Sequence, residues 1–274
     1  MRIGNREFDI ENNCYIMGIL NITPDSFSDG GNFTSLDKAL KHVQQMIKDG
    51  ADIIDVGGES TRPNYIQISN EEEINRIAPV IEAIKKNFDI PVSLDTYKYQ
   101  VAEAGIQAGT DFINDIWGLT YDNGEMANLI AKHDLPCCLM HNRTNINYNN
   151  FINDVLDDMK NIISIAQKAG IRKNKIILDV GVGFAKSYEN NLEVINHLDI
   201  LKNTIGYPIL LGTSRKSVIG LTLDLPIEDR LEGTLATTVI GVMKGMSFVR
   251  VHDVKENARV IKMTQAIMKG YSHG

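Results

Sequence analysis

Eight short apolar runs recur along this chain, and stretches with helical periodicity separate most of them. The runs are Cys14–Leu20, Asp52–Val56, Ile90–Leu94, Asp111–Ile113, Pro136–Met140, Lys175–Leu178, Pro208–Leu211 and Ser247–Val251. A run of Val, Ile and Leu is typical of a strand buried on both faces, and helical crossovers between such strands make them parallel. Eight such units in 274 residues predict a (β/α)8 TIM barrel, with residues 1–274 forming a single domain.

Charge and cysteine content narrow the class of protein. A net charge of −7 argues against a nucleic-acid surface, which needs a basic face to neutralise phosphates. No apolar run is long enough to span a bilayer, and the first residues lack the apolar core of a signal peptide, so we expect a cytoplasmic protein without membrane contact. The three cysteines lack metal-ligand spacing and make a poor disulfide framework, which predicts free thiols.

Polar residues follow the apolar runs at the points where the predicted strands end. In barrels of this kind the chemistry lies at the carboxyl ends of the strands, so we expect these side chains to converge on one mouth. They are Asn21, the segment Glu59–Arg62, Asp95, Asn114, His141, Asp179, Lys216, Arg250 and His252.

Two segments without helical pattern carry dense polar chemistry. The segment Asn21–Gly31 offers the carbonyl, hydroxyl and carboxylate oxygens that hard cations prefer, although a capped turn has the same composition. The segment Gly57–Pro63 places hydroxyls and Arg62 after a strand. A guanidinium there can clamp an anion bidentately, or it can form a surface salt bridge.

Asp95, Asn114 and Asp179 each come directly after an apolar run. Taken singly, each is as good a helix cap as a ligand. Together they supply acceptors and donors without any histidine spacing of the metal-binding type. Such a set suits a heterocycle rich in N–H and carbonyl groups, and we prefer this interpretation.

Two further segments predict anion contacts. Gly212–Ser217 connects the seventh strand to a helix, where small residues let backbone N–H groups approach an anion, although the spacing of a Walker loop is absent. In the last strand, alternation places Arg250 and His252 on the same side. A single histidine is usually structural, but a paired arginine and histidine at a rim indicates a second anion contact.

The chain resembles the dihydropteroate synthase family over essentially its whole length. The matching motifs occur in the order found in that family, and the first is highly specific. They are Gly18–Gly31, Asp55–Pro63, Leu94–Thr96, Asn114–Ile116, Gly212–Ser217, Arg230–Ala236 and Arg250–Val254. The resemblance implies condensation of 6-hydroxymethyl-7,8-dihydropterin pyrophosphate with para-aminobenzoate, giving 7,8-dihydropteroate and pyrophosphate for folate biosynthesis. It also implies a Mg²⁺ cofactor, a homodimer and a target of sulfonamides.

The resemblance assigns a role to each candidate residue. The catalytic set is Asp95, Asp179, Lys216, Arg250 and His252. The pterin would be held by Asp95, Asn114, Asp179 and Lys216, with Ile116 and Met140 lining its pocket. Asn21, Arg62, Arg250 and His252 would serve the pyrophosphate, with Asn21 as the Mg²⁺ ligand. The aminobenzoate would be framed by Phe27, Thr61, Pro63, Phe184, Lys216 and Ser217.

The chain departs from the family pattern at three places. Val180 stands where proline is usual, Asn64 where glycine is usual, and Asn142-Arg143 where methionine and glycine are usual. Two other functions remain open. A methyltransferase that uses methyltetrahydrofolate would share the barrel and the Asp/Asn pocket, but it needs no pyrophosphate clamp. A non-catalytic pterin-binding protein would be expected to lack one of the two anion-binding segments.

Overall fold

The computed structural model describes residues 1–22, 32–60 and 66–270, with side chains from residue 36 onward in the second range. Eight parallel strands form a closed barrel in the order β10-β3-β4-β5-β6-β7-β8-β9, as the apolar runs predict. An antiparallel hairpin, β1 (Arg2–Ile3) and β2 (Arg6–Glu7), precedes them. The barrel strands are β3 (Tyr15–Asn21), β4 (Ile53–Gly57), β5 (Val92–Asp95), β6 (Phe112–Asp115), β7 (Cys137–Met140), β8 (Ile176–Asp179), β9 (Ile209–Leu211) and β10 (Phe248–Val251).

Helices connect the strands and cover the outside of the barrel. Within the described ranges, no helix combines the length and apolar character needed to cross a membrane. The helices are α1 (Asn32–Asp49), α2 (Asn70–Asn87), α3 (Tyr99–Ala108), α4 (Glu125–Lys132), α5 (Phe151–Lys168), α6 (Tyr188–Asn196), α7 (Leu198–Ile205), α8 (Ser217–Leu223), α9 (Leu231–Met243) and α10 (Val254–Lys269).

The barrel interior changes from apolar to polar along the strands. Its lower part is a cluster of fully buried side chains: Met17, Ile53, Phe112, Cys138, Ile177, Leu210 and Phe248. Because alternate residues of a strand face the same side, the residues two positions further along also face the interior. Four of these are Asp55, Asn114, Asp179 and Arg250. The chain therefore builds an apolar floor and places charged and amide groups directly above it.

The N-terminal hairpin closes the floor from below, and the sequence did not predict it. Ile3 and Phe8 are buried in the same cluster as the floor residues, and the ring of Phe8 lies 5.8 Å from that of Phe248. Ser247 Oγ donates to Ile10 O at 2.9 Å, which fixes the segment beneath the last strand. Strands of two residues carry no readable alternation, so pattern analysis misses them.

Three helices differ in detail from what the sequence pattern predicts. Asn70 is of a residue type that can cap α2, but Ser69 is the N-cap and accepts from Glu72 N at 3.1 Å. The spacing of Leu192, Ile195, Leu198 and Leu201 predicts one helix, but the structure has two, α6 and α7, separated by His197. In α9 the pattern places Leu235, Val239 and Val242 on one side, and Val242 is buried, but Leu235 and Val239 are half-buried. The helix buries Thr234 and Thr238 instead, because their hydroxyls bond to Arg230 O and Asn257 Oδ1.

Candidate active site at the mouth of the barrel

An ion-pair network lies directly above the floor. Arg250 Nε donates to Asp55 Oδ2 at 2.6 Å, and Arg250 Nη2 donates to Asp95 Oδ2 at 2.6 Å. Asp55 also accepts from Ser93 Oγ at 2.5 Å and from Asn114 Nδ2 at 3.3 Å. The predicted residues Asp95, Asn114 and Arg250 are thus brought together, and Asp55 joins them.

Asp95 retains binding capacity that nothing in the described structure uses. Its Oδ1 is buried and has no hydrogen-bond partner among residues 1–22, 32–60 and 66–270. Burial raises the pKa of Asp95 to about 7, against the opposing charge of Arg250. Near neutral pH this carboxyl therefore exists in both protonation states, and it can accept or donate a hydrogen bond to a ligand in the mouth.

A second charged pair faces the same space. Gly212 follows β9, and a Cβ built on it would lie 3.5 Å from Asp179 Oδ2, 3.7 Å from Lys216 Nζ and 4.0 Å from Arg250 Cβ. Asp179 Oδ2, Lys216 Nζ and the stem of Arg250 therefore lie around one point beside Gly212. Burial raises the pKa of Asp179, opposed by Lys216 and by the Gly181 N–H that donates to Oδ1 at 2.7 Å. Burial also lowers the pKa of Lys216 to about 8.

Apolar side chains form one wall of the mouth. Ile116 and Met140 are buried in a cluster with Tyr97, and the half-buried Trp117 and Phe184 pack against it. Lys216 Nζ lies 4.8 Å from the centroid of the Phe184 ring and donates to Val182 O at 2.5 Å. A flat wall beside a set of fixed polar groups is the usual arrangement of a site for an aromatic ligand.

Other predicted residues lie on the rim. Asn21 is exposed at the end of β3, where it pairs in register with Gly57, which in turn pairs with Asp95. His252 follows β10, and its Nδ1 lies 3.0 Å from Ser214 Oγ. Ser217 is exposed at the first position of α8. Phe27, Thr61, Arg62, Pro63 and Asn64 lie outside the described residues.

Two of the residues expected at the mouth are directed elsewhere. His141 is fully buried and contacts Asp158 and Lys186, so it lies behind the mouth. Glu59 is buried, accepts from Tyr97 Oη at 2.7 Å and pairs with Lys98 Nζ at 2.6 Å. Both positions follow a strand, but a buried polar side chain turns toward a hydrogen-bonding partner, and the sequence did not indicate either partner.

Other residues that organise the site were not predicted from the sequence. Asp55 and Ser93 lie inside apolar runs, and the two-residue alternation from Ile53 was the signal that Asp55 faces the interior. Lys186 has no local signal of this kind, because its partners are His141, which follows β7, and two carbonyls of the loop before the lysine.

The departures from the family pattern have structural counterparts. Val180 is fully buried in the core around the barrel. Arg143 Nε donates to Asp158 Oδ2 at 2.5 Å, its Nη1 donates to Asn147 O at 2.8 Å, and its guanidinium lies 4.4 Å from the Tyr148 ring centroid. Arg143 therefore fastens the loop after β7 to α5.

Comparison with known proteins gives consistent matches. The family described as pterin binding enzyme matches residues 17–252. The dihydropteroate synthase of Clostridium beijerinckii is 61% identical over 270 residues, covering 98% of this chain and 100% of the relative. The structure of the Clostridium difficile dihydropteroate synthase, determined in the presence of pteroic acid, has a TM-score of 0.93 and 50% identity, covering 96% and 100% of the two chains. That of the Yersinia pestis enzyme with a sulfonamide drug has a TM-score of 0.91 and 39% identity, covering 98% and 99%.

The closed barrel, its polar mouth and the family match define a pterin-binding enzyme with a TIM-barrel fold. Within that class the chain belongs to the dihydropteroate synthase family, transferases of folate biosynthesis. The predicted fold and function are confirmed. Sequence identity of 61% to a synthase, over 98% of this chain, favours this function over the methyltransferase and the non-catalytic alternatives.

Proposed function

We propose that the barrel mouth condenses 6-hydroxymethyl-7,8-dihydropterin pyrophosphate with para-aminobenzoate, using the residues named above. The observation that carries the proposal is the point beside Gly212, which Asp179 Oδ2, Lys216 Nζ and Arg250 Cβ all approach within about 4 Å, with the guanidinium of Arg250 bound to Asp55 and Asp95. A carboxylate and an ammonium at one space, with a guanidinium in the same network, can hold a polar ring and counter an anion leaving from it.

The pterin would lie above the floor, bound by four side chains. Asp95 Oδ1 and Asp179 would accept from the ring N–H groups, and Asn114 and Lys216 would contact its nitrogen and oxygen atoms. Ile116 and Met140 would cover one face of the ring. The unpartnered Asp95 Oδ1 supports this position, because a buried acceptor gains most from a donor brought by a ligand.

The pyrophosphate would lie toward the rim. Arg250 uses Nε and Nη2 for Asp55 and Asp95, so it would contact the anion through Nη1. His252, Asn21 and Arg62 would complete the contacts. The exposed amide oxygen of Asn21 fits a Mg²⁺ ion that keeps most of its ligands as water and phosphate oxygen, since that ion is commonly held by one or two protein oxygens. When bound, Mg²⁺ would supply charge that favours departure of the pyrophosphate.

The aminobenzoate would stand beside Lys216. Phe184 and Ser217 flank this lysine in the described structure, and Phe27, Thr61 and Pro63 complete the proposed pocket. The aniline nitrogen attacks the pterin methylene carbon as the carbon–oxygen bond to pyrophosphate breaks, and the nitrogen then releases a proton to solvent. Asp95 and Asp179 favour the positive charge that develops on the pterin side. The residues contribute mainly position and charge.

The test is incubation of the purified protein with both substrates and Mg²⁺ while pyrophosphate release and dihydropteroate formation are measured. Release should require para-aminobenzoate, and the two products should form in equal amounts. Replacing the substrates with methyltetrahydrofolate and a thiol acceptor tests the methyltransferase. Absence of dihydropteroate at saturating substrate would refute the proposal. A sulfonamide should compete with para-aminobenzoate, as the drug complex of the Yersinia pestis relative suggests.

We further propose a homodimer formed through α9 and α10, which pack against each other. These two helices expose five large apolar side chains, namely Ile240, Met243, Met263, Ile267 and Met268. An apolar surface of this kind is typical of an interface. Sedimentation should give twice the chain mass, and the double variant Met263→Lys, Ile267→Lys should give a monomer. We also propose a cytoplasmic location, because Cys14, Cys137 and Cys138 are free thiols, as a reducing compartment would keep them.

A further inference from the structure

Lys186 lies behind the mouth of the barrel, and its ammonium group is enclosed by three acceptors. Nζ lies 2.8 Å from His141 Nδ1, 3.1 Å from Gly181 O and 3.2 Å from Phe184 O. In the ammonium form each of its three N–H donors has one acceptor. Burial lowers the pKa of Lys186 to about 7, so the neutral amine is also present near neutral pH. Neither the family resemblance nor the proposed substrate contacts give this lysine a role.

The contact with Lys186 also fixes the histidine. Because Nδ1 accepts from Lys186, the ring proton of a neutral His141 is on Nε2, which then donates to Asp158 Oδ2 at 2.9 Å. Burial lowers the pKa of His141 to about 4, which keeps the ring neutral at physiological pH. Asp158 is in turn bound by Arg143. A chain of bonds thus runs from α5 through His141 to Lys186.

Lys186 holds a segment with an uncommon backbone path. Gly181 and Gly183 have φ of 70° and 84°, and the non-glycine Ala185 has φ of 44°. A left-handed conformation costs a residue with a side chain about 1 kcal/mol or more, so tertiary contacts must maintain it. Lys186 supplies such contacts through its bonds to the carbonyls of Gly181 and Phe184. Tyr148 adds another, because its Oη donates to Ala185 O at 2.9 Å.

The same segment touches the proposed substrate-binding residues at three places. Gly181 N donates to Asp179 Oδ1 at 2.7 Å. Val182 O accepts from Lys216 Nζ at 2.5 Å, and the ring of Phe184 lies beside the same ammonium. A change in the path of residues 181–186 would therefore move one face of the pterin site and one of the aminobenzoate site.

We propose that Lys186 is a positioning residue of this enzyme: by binding His141 and two carbonyls of its own loop, it holds Asp179, Lys216 and Phe184 in their catalytic arrangement. The inference rests on the proposed roles of those three residues. If Lys186 had only a structural role, an apolar side chain could replace it without loss of catalysis. Such a replacement is often tolerated because burying a charged group costs free energy. Here removal of the amine group and its three contacts should change catalysis more than folding.

The test compares three variants of the full-length protein. Lys186→Met keeps the length of the side chain and removes all three bonds. Tyr148→Phe removes one bond to the same segment and is the milder change. Lys202→Met is the matched control, because Lys202 is half-buried and donates to Gly245 O at 2.6 Å at the opposite end of the barrel. For each protein, kcat and KM for both substrates, the affinity for 6-hydroxymethylpterin and the melting temperature are measured.

We expect Lys186→Met to lose roughly 10- to 100-fold in kcat/KM and to bind the pterin more weakly, as loss of several bonds to an orienting segment predicts. Tyr148→Phe should lose about 2- to 5-fold with an unchanged melting temperature. Lys202→Met should stay within about twofold of wild type.

Wild-type pterin affinity and kcat/KM per folded molecule in Lys186→Met would overturn the proposal, whatever its melting temperature. If Lys186→Met does not fold, Tyr148→Phe decides: reduced kcat/KM at an unchanged melting temperature supports the proposal, and unchanged kcat/KM overturns it. A wild-type protein that neither binds the pterin nor forms dihydropteroate would instead overturn the proposed function, together with this inference.

Discussion

Arg250 Nη2 donates to Asp95 Oδ2 at 2.6 Å, so the cation expected to face an anion is already paired with a carboxylate of the neighbouring ligand site. The pairing joins the proposed pterin position to the proposed pyrophosphate position. Loss of the anion or protonation of Asp95 changes the charge next to Arg250. In the proposed function, the groups that recognise the two halves of one substrate would therefore depend on each other.

The first prediction concerns Asp95 and pH. Its pKa is about 7 in the folded protein and about 3.9 when unfolded, so the folded state binds the extra proton between those values. The contribution of Asp95 to the free energy of unfolding should therefore fall as pH rises from about 4 to 7. Asp95→Asn removes this titration. Urea unfolding without ligand should show the variant gaining about 1–3 kcal/mol relative to wild type between pH 5 and pH 8.

The control for Asp95 is Asp199→Asn, which changes an exposed aspartate paired with Lys244. Its difference from wild type should not rise over the same pH range, because the Lys244 contact lowers the pKa of Asp199. If the free energies of unfolding of Asp95→Asn and wild type differ by a constant amount from pH 5 to pH 8, Asp95 does not titrate in that range.

The second prediction concerns Asp179. In Asp179→Asn one acceptor oxygen becomes an NH2 group, which either faces the ammonium of Lys216 or abandons the bond to Gly181 N–H. We expect the affinity for 6-hydroxymethylpterin to fall roughly 100-fold, as for loss of a charge-assisted hydrogen bond. Calorimetric titration measures this. Binding within twofold of wild type would remove Asp179 from the pterin site.

The third prediction concerns Lys216. This lysine is half-buried, and burial lowers its pKa to about 8. Lys216→Met keeps the apolar stem and removes a charge that burial disfavours, so the melting temperature at pH 7 should stay equal or rise. Turnover should fall by roughly 100-fold or more. A melting temperature lowered by several degrees, with turnover retained per folded molecule, would assign Lys216 to the fold.

The fourth prediction concerns the order of binding. Phe27 and Pro63 are expected beside the aminobenzoate, on the same segments as the proposed anion ligands Asn21 and Arg62. Bound pyrophosphate and Mg²⁺ should therefore help to complete the aminobenzoate pocket. Calorimetry should show para-aminobenzoate binding at least about 5-fold more tightly in their presence. Equal affinity with and without them would contradict an ordered mechanism.

Linkage requires the reciprocal effect, which serves as the control for binding order. Pyrophosphate with Mg²⁺ should bind more tightly by the same factor when para-aminobenzoate is present. Omitting Mg²⁺ should abolish both effects if the cation is part of the site.

The sequence predicted the barrel and most of the residues at its described mouth, because both follow from the positions of the apolar runs. Strands buried on two faces are apolar throughout, and Asp95, Asn114 and Asp179 end such runs. What it missed depends on contacts between distant segments. The turn of Glu59 toward Lys98 and of His141 toward Lys186 results from burial that no local pattern encodes.

The missed break between α6 and α7 has a similar origin. His197 ends α6 and begins α7, with φ of −106° and ψ of 16°. No glycine or proline, the usual sequence signals of a helix end, stands at this position. The backbone N–H and C=O of His197 take part in both helices, so the change of direction costs little hydrogen bonding. Apolar periodicity continues across the break, and a single helix was therefore the natural interpretation.

The hairpin under the floor places a constraint on the synthesis of the chain. Phe8 packs on Phe248, and Tyr15 N donates to Ser247 O at 2.9 Å, so the first strand of the barrel pairs with the last. A ribosome exposes the first of these partners long before it has made the second. Ile3 and Phe8 therefore stay uncovered until the last strand of the barrel has been made. Ring closure is thus a late step in the folding of this chain, since it joins strands more than 200 residues apart in sequence.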